Sequence, residues 1–244
     1  MPTNHGKVAL VTGAGLRVGR AIALALGRRE MHVVVHYNAS GDGARETVRL
    51  IEASGGSAST AHGDLTSVES CESLIDSVVA DHGALHTLVN SAAVMVRTPI
   101  GEVACDAWDS MFALNVRAPF FLTQRAAPHL RASHGCVVNI ADMAAFETWS
   151  AYVPHGITKA AVVQMTRALA HALAPDIRVN AVAPGVVLLP DGFDAAGAEH
   201  LRRTTPLDRL GTPEDVADAV LYLIDASYVT GEVIRVDGGR HVRR

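Results

Sequence analysis

Short runs of continuous apolar residues alternate with helical segments along the whole chain, and this alternation is the feature that most constrains the fold. The first run, Val8–Val11, is apolar at every position, as expected of a strand that is covered on both faces. Such strands belong to parallel sheets, in which helices form the crossovers. The predicted strands are 8–11, 33–36, 58–62, 87–90, 136–140, 177–182 and 232–236. The pattern therefore predicts an α/β fold with one doubly wound parallel sheet of about seven strands.

The predicted helices lie between these strands. They are 20–29, 43–54, 68–82 with Ser67 as N-cap, 106–130, a helix that carries His155 and Lys159 and ends near Leu173, and 213–224. The stretch 186–205 has Gly, Pro and Asp at its start and no strong period, so we expect a mobile lid over a substrate. The basic end 240–244 is expected to form no regular structure. A chain of 244 residues that is 49% hydrophobic can bury the core of a single domain spanning 1–244.

Composition argues against several classes of protein. The net charge is −4 and charges of both signs are interspersed, so neither a nucleic acid nor a membrane surface is an expected partner. No apolar stretch approaches the length that spans a bilayer, and the N-terminus lacks the apolar region of a signal peptide. Cys71, Cys105 and Cys136 are odd in number and widely spaced. This pattern favours reduced thiols, a cytoplasmic protein and no metal site.

A glycine-rich turn joins the first strand to the first helix and reads Thr-Gly-Ala-Gly-Leu-Arg-Val-Gly at 12–19. Backbone N–H groups in such a turn, together with the helix N-terminus, bind a phosphate. Arg17 adds a cation for a pyrophosphate or for the 2′-phosphate of NADP(H). The segment 36–40, after the second strand, has no carboxylate that would bind a ribose 2′-hydroxyl or repel a 2′-phosphate. We expect NADP(H) rather than NAD(H), with Arg17, His36 and Ser40 as donors to the 2′-phosphate. The alternative is a surface loop that happens to lack acidic residues.

Three ionisable residues follow the fifth strand. Asp142 stands where a strand ends and a loop begins, a usual place for chemistry in an open parallel sheet. His155 and Lys159 are four residues apart, so a helix places them on one face. The hypothesis is an acid–base site at the mouth of a Rossmann-type nucleotide-binding fold. The alternative is a capping Asp142 with His155 and Lys159 as ordinary surface residues, and the pattern alone fits it about as well.

Together these motifs resemble the short-chain dehydrogenase/reductase family over nearly the whole chain. The matching segments are 12–19, 64–65, 90–92, Asn115, 142–159, 184–185 and 236–239. Within the family the chain is most similar to the pteridine reductases. That subgroup has Arg at the place of Arg17, a His-Tyr pair like His36-Tyr37, and Asp at the place of Asp142.

The resemblance implies roles for individual residues. The implied cofactor-binding residues are Gly13, Leu16, Arg17, Val18, His36, Tyr37, Asn38, Ser40, Asp64, Leu65, Asn90, Ser91, Ala92, Lys159, Pro184 and Gly185. The implied catalytic residues are Asn115, Asp142, His155 and Lys159, with Asn115 holding a water that relays protons to Lys159. The implied substrate contacts are Met95, Trp149, Tyr152, Val187 and Arg244.

The chain departs from the family pattern at the position of the usual proton donor. Most members have Tyr four residues before the catalytic Lys, and here that position is His155. Tyr152 lies three residues earlier and is out of register, although from the same helical turn it could line the pocket. Met95 replaces an aromatic residue that stacks on pterin in the subgroup, which weakens pterin as the substrate. Ala39 replaces an expected Arg, which weakens the preference for NADP(H).

His155 is nevertheless suited to donate a proton, because free imidazole has a pKa of about 6.5. Lys159 would favour the neutral ring and Asp142 the cationic ring. The first hypothesis is an NADP(H)-dependent reductase of a carbonyl or imine in a ketone, quinone or pterin-like small molecule. One alternative is a cofactor-binding protein without redox turnover. Another is a non-redox acid–base enzyme of the dehydratase or cyclase type.

Self-association is expected from the apolar and small residues on the predicted helices 106–130 and 155–173. Family members that resemble this chain pair such helices across two-fold axes, so we expect a homotetramer, with a dimer as the runner-up. The resemblance also implies that Arg244 reaches the pocket of a neighbouring subunit. The alternative for this end of the chain is a frayed, solvated terminus.

Overall fold

Seven parallel strands form one sheet in the computed structural model, which describes residues 6–189 and 194–242. The strands are β1 (Val8–Val11), β2 (His32–Tyr37), β3 (Ser57–His62), β4 (Thr87–Asn90), β5 (Cys136–Ile140), β6 (Arg178–Pro184) and β7 (Val233–Val236). Their order across the sheet is β3-β2-β1-β4-β5-β6-β7, and neighbouring strands all pair in parallel. The predicted doubly wound α/β sheet is confirmed.

Helices connect the strands and cover both faces of the sheet. They are α1 (Arg17–Gly27), α2 (Gly41–Ala53), α3 (Val68–His82), α4 (Cys105–Phe112), α5 (Ala118–Ala132), α6 (Val153–Leu173), α7 (Ala195–Arg203) and α8 (Pro213–Asp225). The chain builds outward from β1 to β2 and β3, then returns to place β4 on the other side of β1. In open parallel sheets, ligands bind outside the carboxyl ends of the strands at this reversal.

Alternate residues of β1 enter two separate cores. Ala9 and Val11 pack with buried residues of α1, α2 and α8, whereas Val8 and Leu10 pack with buried residues of α3 and α5. All four residues of β1 are buried, which explains the continuous apolar run in the sequence. Burial of a side chain such as Leu10 stabilises the fold by roughly 2 kcal/mol relative to leaving it in water.

The single helix expected at 106–130 is divided by a wider turn. A π-helical segment, Ala113–Arg117, separates α4 from α5, and Asn115 lies inside it. Such segments add one residue to a helical turn and are frequent at functional sites. Apolar residues on either side keep helical spacing, which is why one continuous helix was expected. Pro119, two residues after the segment, is the sign of the interruption in the sequence, because a proline inside a helix removes a backbone hydrogen bond.

The segment expected to be an irregular lid contains a helix. Within 186–205, α7 begins after Asp194, whose Oδ1 accepts a hydrogen bond from the Gly197 N–H at 2.7 Å. None of the residues of α7 is fully buried, so the helix lacks the buried apolar stripe by which helices are recognised in a sequence. Residues 190–193 of the expected lid lie outside the described residues.

The end of the chain is also more regular than expected. Arg240–Val242 forms a 3₁₀ turn, and Asp237 holds it by accepting from the Gly239 N–H at 3.0 Å and the His241 N–H at 2.7 Å. The expectation of no regular structure at 240–244 is therefore wrong for 240–242. Arg243 and Arg244 lie outside the described residues, and so does the predicted substrate contact of Arg244.

Some element boundaries differ from those expected. The N-cap of α1 is Leu16, in an extended conformation, so the helix begins three residues earlier than the predicted position 20. Strand β6 continues to Pro184 rather than ending at 182. Across residues 6–189 and 194–242, no helix has the length and apolar character that crossing a membrane requires. Over the same residues, no three His, Cys, Asp or Glu side chains are grouped as metal ligands would be.

Candidate active site

A cleft of about 450 Å³ opens at the carboxyl ends of the strands. Its walls come from the turn after β1, from the segments that follow β2 to β6, and from α6. The lining residues are Gly13, Leu16, Arg17, Val18, Gly19, His36, Asn38, Ser40, Asp64, Leu65, Thr66, Ser91, Ala92, Ala93, Val94, Met95, Leu114, Ile140, Ala141, Asp142, His155, Lys159, Pro184, Gly185, Val187 and Leu188. The cleft thus brings together most of the residues that the sequence assigned to cofactor binding, and three of the four assigned to catalysis.

The glycines of the turn at 12–19 are required by close approach of the backbone. Gly13 has a φ of +65°, and a Cβ there would lie 2.9 Å from Ala92 Cα. A Cβ on Gly19 would lie 2.3 Å from the Gly13 carbonyl oxygen. Any side chain would therefore force the turn apart and displace the start of α1. Arg17, the first residue of α1, is exposed at the edge of the cleft.

Thr12 connects the glycine-rich turn after β1 to the loop after β4. Its hydroxyl oxygen accepts from the Ser91 N–H at 2.9 Å and from the Ala92 N–H at 3.0 Å. The side chain is buried and therefore fixes the loop after β4 against the glycine turn. Thr12 was absent from the predicted site because a single threonine beside a glycine turn carries no signal of long-range partners.

His36 uses both ring nitrogens to hold backbone. Nδ1 accepts from the Gly13 N–H at 3.3 Å, so Nε2 carries the proton and donates to the Gly63 carbonyl at 3.1 Å. Burial lowers the pKa of His36 to about 4, so the ring is neutral. The expectation that His36 donates to a 2′-phosphate is therefore corrected: the ring ties the ends of β2 and β3 to the glycine turn.

Two other predicted cofactor residues lie away from the cleft. The Tyr37 ring packs beside the His62 ring, with centroids 5.2 Å apart. The Asn90 amide is buried and donates to Asn139 Oδ1 at 2.8 Å, which links β4 to β5. Neither residue lines the cleft: Tyr37 packs against the last residue of β3, and Asn90 is bonded to β5.

The predicted substrate residues do not lie together in one cleft. Met95 and Val187 line the cleft. Trp149 lines a separate cleft beside β7. Tyr152 lines neither of these clefts; it is the N-cap residue of α6, and its ring lies 6.4 Å from the Trp149 ring. The idea that Tyr152 lines the cofactor cleft from the same helical turn as His155 is thus not supported by the structure.

Asp142 and His155 face each other inside the cleft. Asp142 Oδ1 accepts from the Ala144 N–H at 2.7 Å, which fixes the carboxylate and starts a short 3₁₀ turn, Met143–Ala145. Its Oδ2 lies 3.8 Å from His155 Nε2, too long for a hydrogen bond. His155 is only 2% exposed, yet neither ring nitrogen has a hydrogen-bond partner among the described residues.

Lys159 is buried one helical turn after His155. Its Nζ donates to the carbonyl oxygen of Ile140 at 2.8 Å, which anchors α6 to the end of β5. Burial lowers the pKa of Lys159 to about 8, and the nearby Asp142 carboxylate opposes this shift. A charge or a hydrogen-bond acceptor that enters the cleft would therefore change the pKa of Lys159.

The Asn115 side chain clamps the loop after β4. Its Oδ1 accepts from the Val94 N–H and its Nδ2 donates to the Val94 carbonyl, both at 2.9 Å. The same Nδ2 donates to Thr158 Oγ1 at 3.1 Å, which connects the π-helical segment to α6. Asn115 does not line the cleft, and its predicted role of holding a water stays a prediction. Its described contacts hold Val94 close to α6.

The residues in the cleft fit a nicotinamide adenine dinucleotide. The glycine turn leaves a cradle that any Cβ would fill, and Arg17 supplies a cation beside it. Asp64, at the opposite wall, is held by the N–H and hydroxyl of Thr66 at 3.0 and 2.8 Å. Lys159 and His155 stand at the other end, where His155 offers unpaired ring nitrogens. The donor set therefore suits a dinucleotide with its phosphates on the turn.

The comparison with protein families agrees with this arrangement. The sequence model of a family described as enoyl-(acyl carrier protein) reductase matches residues 13–241. The chain belongs to the short-chain dehydrogenase/reductase family. It is thus an oxidoreductase of a family that uses a nicotinamide cofactor, NAD or NADP, and acts on small molecules.

Individual relatives span nearly the whole chain. A protein of Streptomyces violaceoruber, named as ketoacyl reductase 2 of the granaticin polyketide synthase, is 36% identical, over 96% of each chain. The 3beta-hydroxysteroid dehydrogenase 1 of Eggerthella lenta is 34% identical, over 96% of this chain and 93% of that protein. A solved structure from Sinorhizobium meliloti 1021, described as a short-chain alcohol dehydrogenase, matches with a TM-score of 0.93 and 31% identity over all of both chains. The closer likeness to the pteridine reductases stays a prediction.

Proposed function

We propose that the chain is an NADP(H)-dependent reductase of a carbonyl or imine, in which His155 replaces the usual tyrosine as proton donor. The observation that carries this proposal is the state of His155. The ring is 2% exposed, and neither nitrogen has a hydrogen-bond partner among the described residues. Such burial costs free energy unless a bound ligand supplies the missing hydrogen bond. A substrate oxygen or nitrogen in the cleft would be that partner. Ketone, quinone and pterin-like compounds all present such an atom.

The proposed mechanism assigns one task to each of four residues, His155, Asp142, Lys159 and Asn115. The glycine turn and Arg17 would hold NADPH, whose chemistry when bound would be hydride donation to the substrate carbon. His155 donates a proton to the substrate oxygen or nitrogen and returns to the neutral ring. Asp142, 3.8 Å away, stabilises positive charge on that ring before the transfer. Lys159, fixed on the Ile140 carbonyl, would hold the nicotinamide ribose, and Asn115 keeps the Val94 loop against α6.

The preference for NADP(H) rests on the adenosine end of the cleft. Arg17 is exposed there, and Ser40 offers a hydroxyl at the start of α2. Asn38 lines the same wall, and residues 38–40, which follow β2, include no carboxylate that would repel a 2′-phosphate. Since His36 is committed to the backbone, only Arg17 and Ser40 remain of the three donors considered from sequence. We therefore propose a modest discrimination in favour of NADP(H).

A ketone is the substrate that the rim of the cleft favours among these classes. Met95 is 42% exposed and Leu188 36% exposed, and both line the cleft beside Val187. This apolar rim suits an uncharged substrate body rather than a sugar or a charged acid. Relatives named as a ketoacyl reductase and a 3beta-hydroxysteroid dehydrogenase support carbonyl chemistry at this site.

We also propose a homotetramer, with a dimer as the runner-up. Trp108 of α4, Phe120 of α5 and Ile157 of α6 are exposed to more than a third of their surface. Apolar side chains on neighbouring helices favour self-association across a two-fold axis. Sedimentation at micromolar concentration tests the assembly, and a monomer would overturn it.

Steady-state NADPH oxidation against ketones, quinones and dihydropterins tests the proposed reaction. A reductase should consume NADPH with at least one class, and His155→Ala should remove most of that consumption because the proton donor is lost. His155→Tyr, which restores the donor usual in the family, should keep activity. If the wild type binds NADPH without turnover and His155→Tyr creates turnover, the cofactor-binding protein without redox activity is correct. Product without NADPH consumption would identify the non-redox acid–base enzyme.

A further inference from the structure

A second cleft lies on the other side of the segment that follows Asp142. It measures about 620 Å³, within the range of small-molecule sites. Its described lining residues are Met143, Phe146, Glu147, Thr148, Trp149, Arg235, Arg240 and His241. We call it the Arg235/Arg240 cleft. No described residue lines both this cleft and the cofactor cleft, so the two are separate sites.

Arg240 is buried in this cleft without the partners that a guanidinium needs. Its side chain is 14% exposed, and Nη1 is fully buried with no hydrogen-bond partner among the described residues. Glu147 lies nearby, but its Oε1 is 4.0 Å from Arg240 Nε, beyond hydrogen-bond distance. The other carboxylate oxygen of Glu147 accepts from Trp149 Nε1 at 3.1 Å. Glu147 therefore attracts Arg240 without satisfying it.

The remaining groups in the cleft add positive charge and flat apolar surface. The guanidinium of Arg235 lies over the Phe146 ring, 4.3 Å from the centroid. Trp149 provides a second aromatic wall. The Asp237 carboxylate is already occupied, since its Oδ2 accepts from the backbone and the ring of His241 at 2.7 and 2.8 Å. Two arginines thus face one available carboxylate, that of Glu147.

We propose that the Arg235/Arg240 cleft binds a small organic anion, with a carboxylate or phosphate on Arg240 and a flat apolar part against Phe146 and Trp149. A planar guanidinium with unused N–H groups pairs with such an anion through parallel hydrogen bonds. The aromatic walls favour an aromatic or otherwise planar body over a bare ion. The site is adjacent to Asp142 through Met143, so an occupied cleft would hold the segment 143–149 in one arrangement.

Calorimetric titration of the full-length chain with benzoate and with phenyl phosphate tests the site. Each titration is run with and without saturating NADP⁺, because a ligand of the separate cleft should bind in both conditions. Benzamide, which matches benzoate in shape but has no charge, should not bind. Arg240→Gln should weaken binding of either anion by about tenfold to a hundredfold, the scale of one or two charge-assisted hydrogen bonds.

Two further variants keep the test decisive. Arg235→Gln alters an exposed side chain, so it should fold even if Arg240→Gln does not, and it should also weaken binding. Arg49→Gln removes an exposed arginine that pairs with Glu46 on α2, and it should leave the affinity unchanged. The proposal is overturned by the absence of saturable anion binding, by equal affinity for benzamide, or by binding that NADP⁺ abolishes.

Discussion

The two ends of the cofactor cleft each contain a histidine that is 2% exposed, and the two rings differ in their hydrogen bonding. At the end proposed to hold adenosine, His36 accepts from Gly13 and donates to Gly63, so both nitrogens are satisfied. At the end proposed for catalysis, neither nitrogen of His155 has a partner among the described residues, and the nearest carboxylate oxygen of Asp142 is 3.8 Å away. Equal burial therefore accompanies full hydrogen bonding in one ring and none in the other.

This difference is the one expected between a residue that holds the site together and a residue whose nitrogens are left for a ligand. A buried polar group left without a partner costs about 1–3 kcal/mol, so a stable fold tolerates few of them. His36 offsets its burial by holding three segments of backbone together. His155 leaves its burial uncompensated, which is the behaviour expected of a group kept for a ligand. Substitutions at the two positions should accordingly act on different measurements.

The largest expected effect is on catalysis at His155. His155→Ala removes the proposed proton donor, so kcat for ketone reduction should fall about a hundredfold or more, while NADPH binding is retained. His171→Ala, an exposed histidine of the same helix, is the matched control and should leave kcat unchanged. A measurable reductase activity that is unchanged in His155→Ala would show that His155 is not the proton donor.

The next effect is on acid stability at His36. Its pKa of about 4 in the fold lies below the ordinary value of 6.5, so between these values the unfolded chain binds more protons. Stability from this ring is complete above pH 6.5 and is lost as pH falls toward 4, by about 3 kcal/mol in total. Chemical denaturation across this range should show a steeper loss for wild type than for His36→Asn, which does not titrate.

His171→Asn is the control for that measurement, because the residue is exposed. It should unfold with the same pH dependence as wild type. His32 and His86 also have pKa values lowered chiefly by burial, so part of the acid loss will remain in His36→Asn. Identical slopes for wild type and His36→Asn would show that His36 is not the buried neutral ring described here.

A smaller effect concerns the cation at the adenosine end. Arg17→Gln should weaken NADPH binding about tenfold, as expected for one charge-assisted hydrogen bond to a 2′-phosphate. NADH binding should change little, because NADH has no such phosphate. Arg28→Gln, exposed at the far end of α1, is the control. Equal losses for both cofactors would place Arg17 on the pyrophosphate and remove the basis for NADP(H) preference.

The smallest effect should come from Asp142. Asp142→Asn keeps the shape of the side chain and removes the anion that stabilises positive charge on His155, so kcat should fall a few fold while NADPH binding is retained. This result would sharpen the contrast, because it would show that His155 depends on charge at a distance rather than on hydrogen bonds. An unchanged kcat would mean that Asp142 serves only to cap the 3₁₀ turn at Met143.

Features that were predicted from the sequence depend on residues close together in the chain, whereas missed features depend on contacts between distant residues. Strands such as β1 were predicted because burial on both faces leaves an apolar run in the sequence itself. The cofactor cleft followed from residues at the ends of those strands, since parallel strands bring their carboxyl ends to one edge. The assignment of His36 as a phosphate donor failed because its partners, Gly13 and Gly63, are distant in the chain.

Other features were missed for different reasons. The π-helical segment around Asn115 was missed because apolar spacing continues on both sides, although Pro119 just after it marks a break in the helical hydrogen bonds. Helix α7 was missed because none of its residues is buried. The Arg235/Arg240 cleft depends on β7 and the 3₁₀ turn after it lying beside the segment 143–149. No spacing within one segment of the chain reveals that juxtaposition.

The central place of β1 has a consequence for how the protein is made. β1 leaves the ribosome before the other strands, yet it pairs with β2 on one side and with β4, at Thr87, on the other. Until β4 has been synthesised, one hydrogen-bonding edge of a fully apolar strand remains open. A chain that stops after β3 would therefore expose a strand edge suited to aggregation. Translation must pass β4 before the first strand is enclosed.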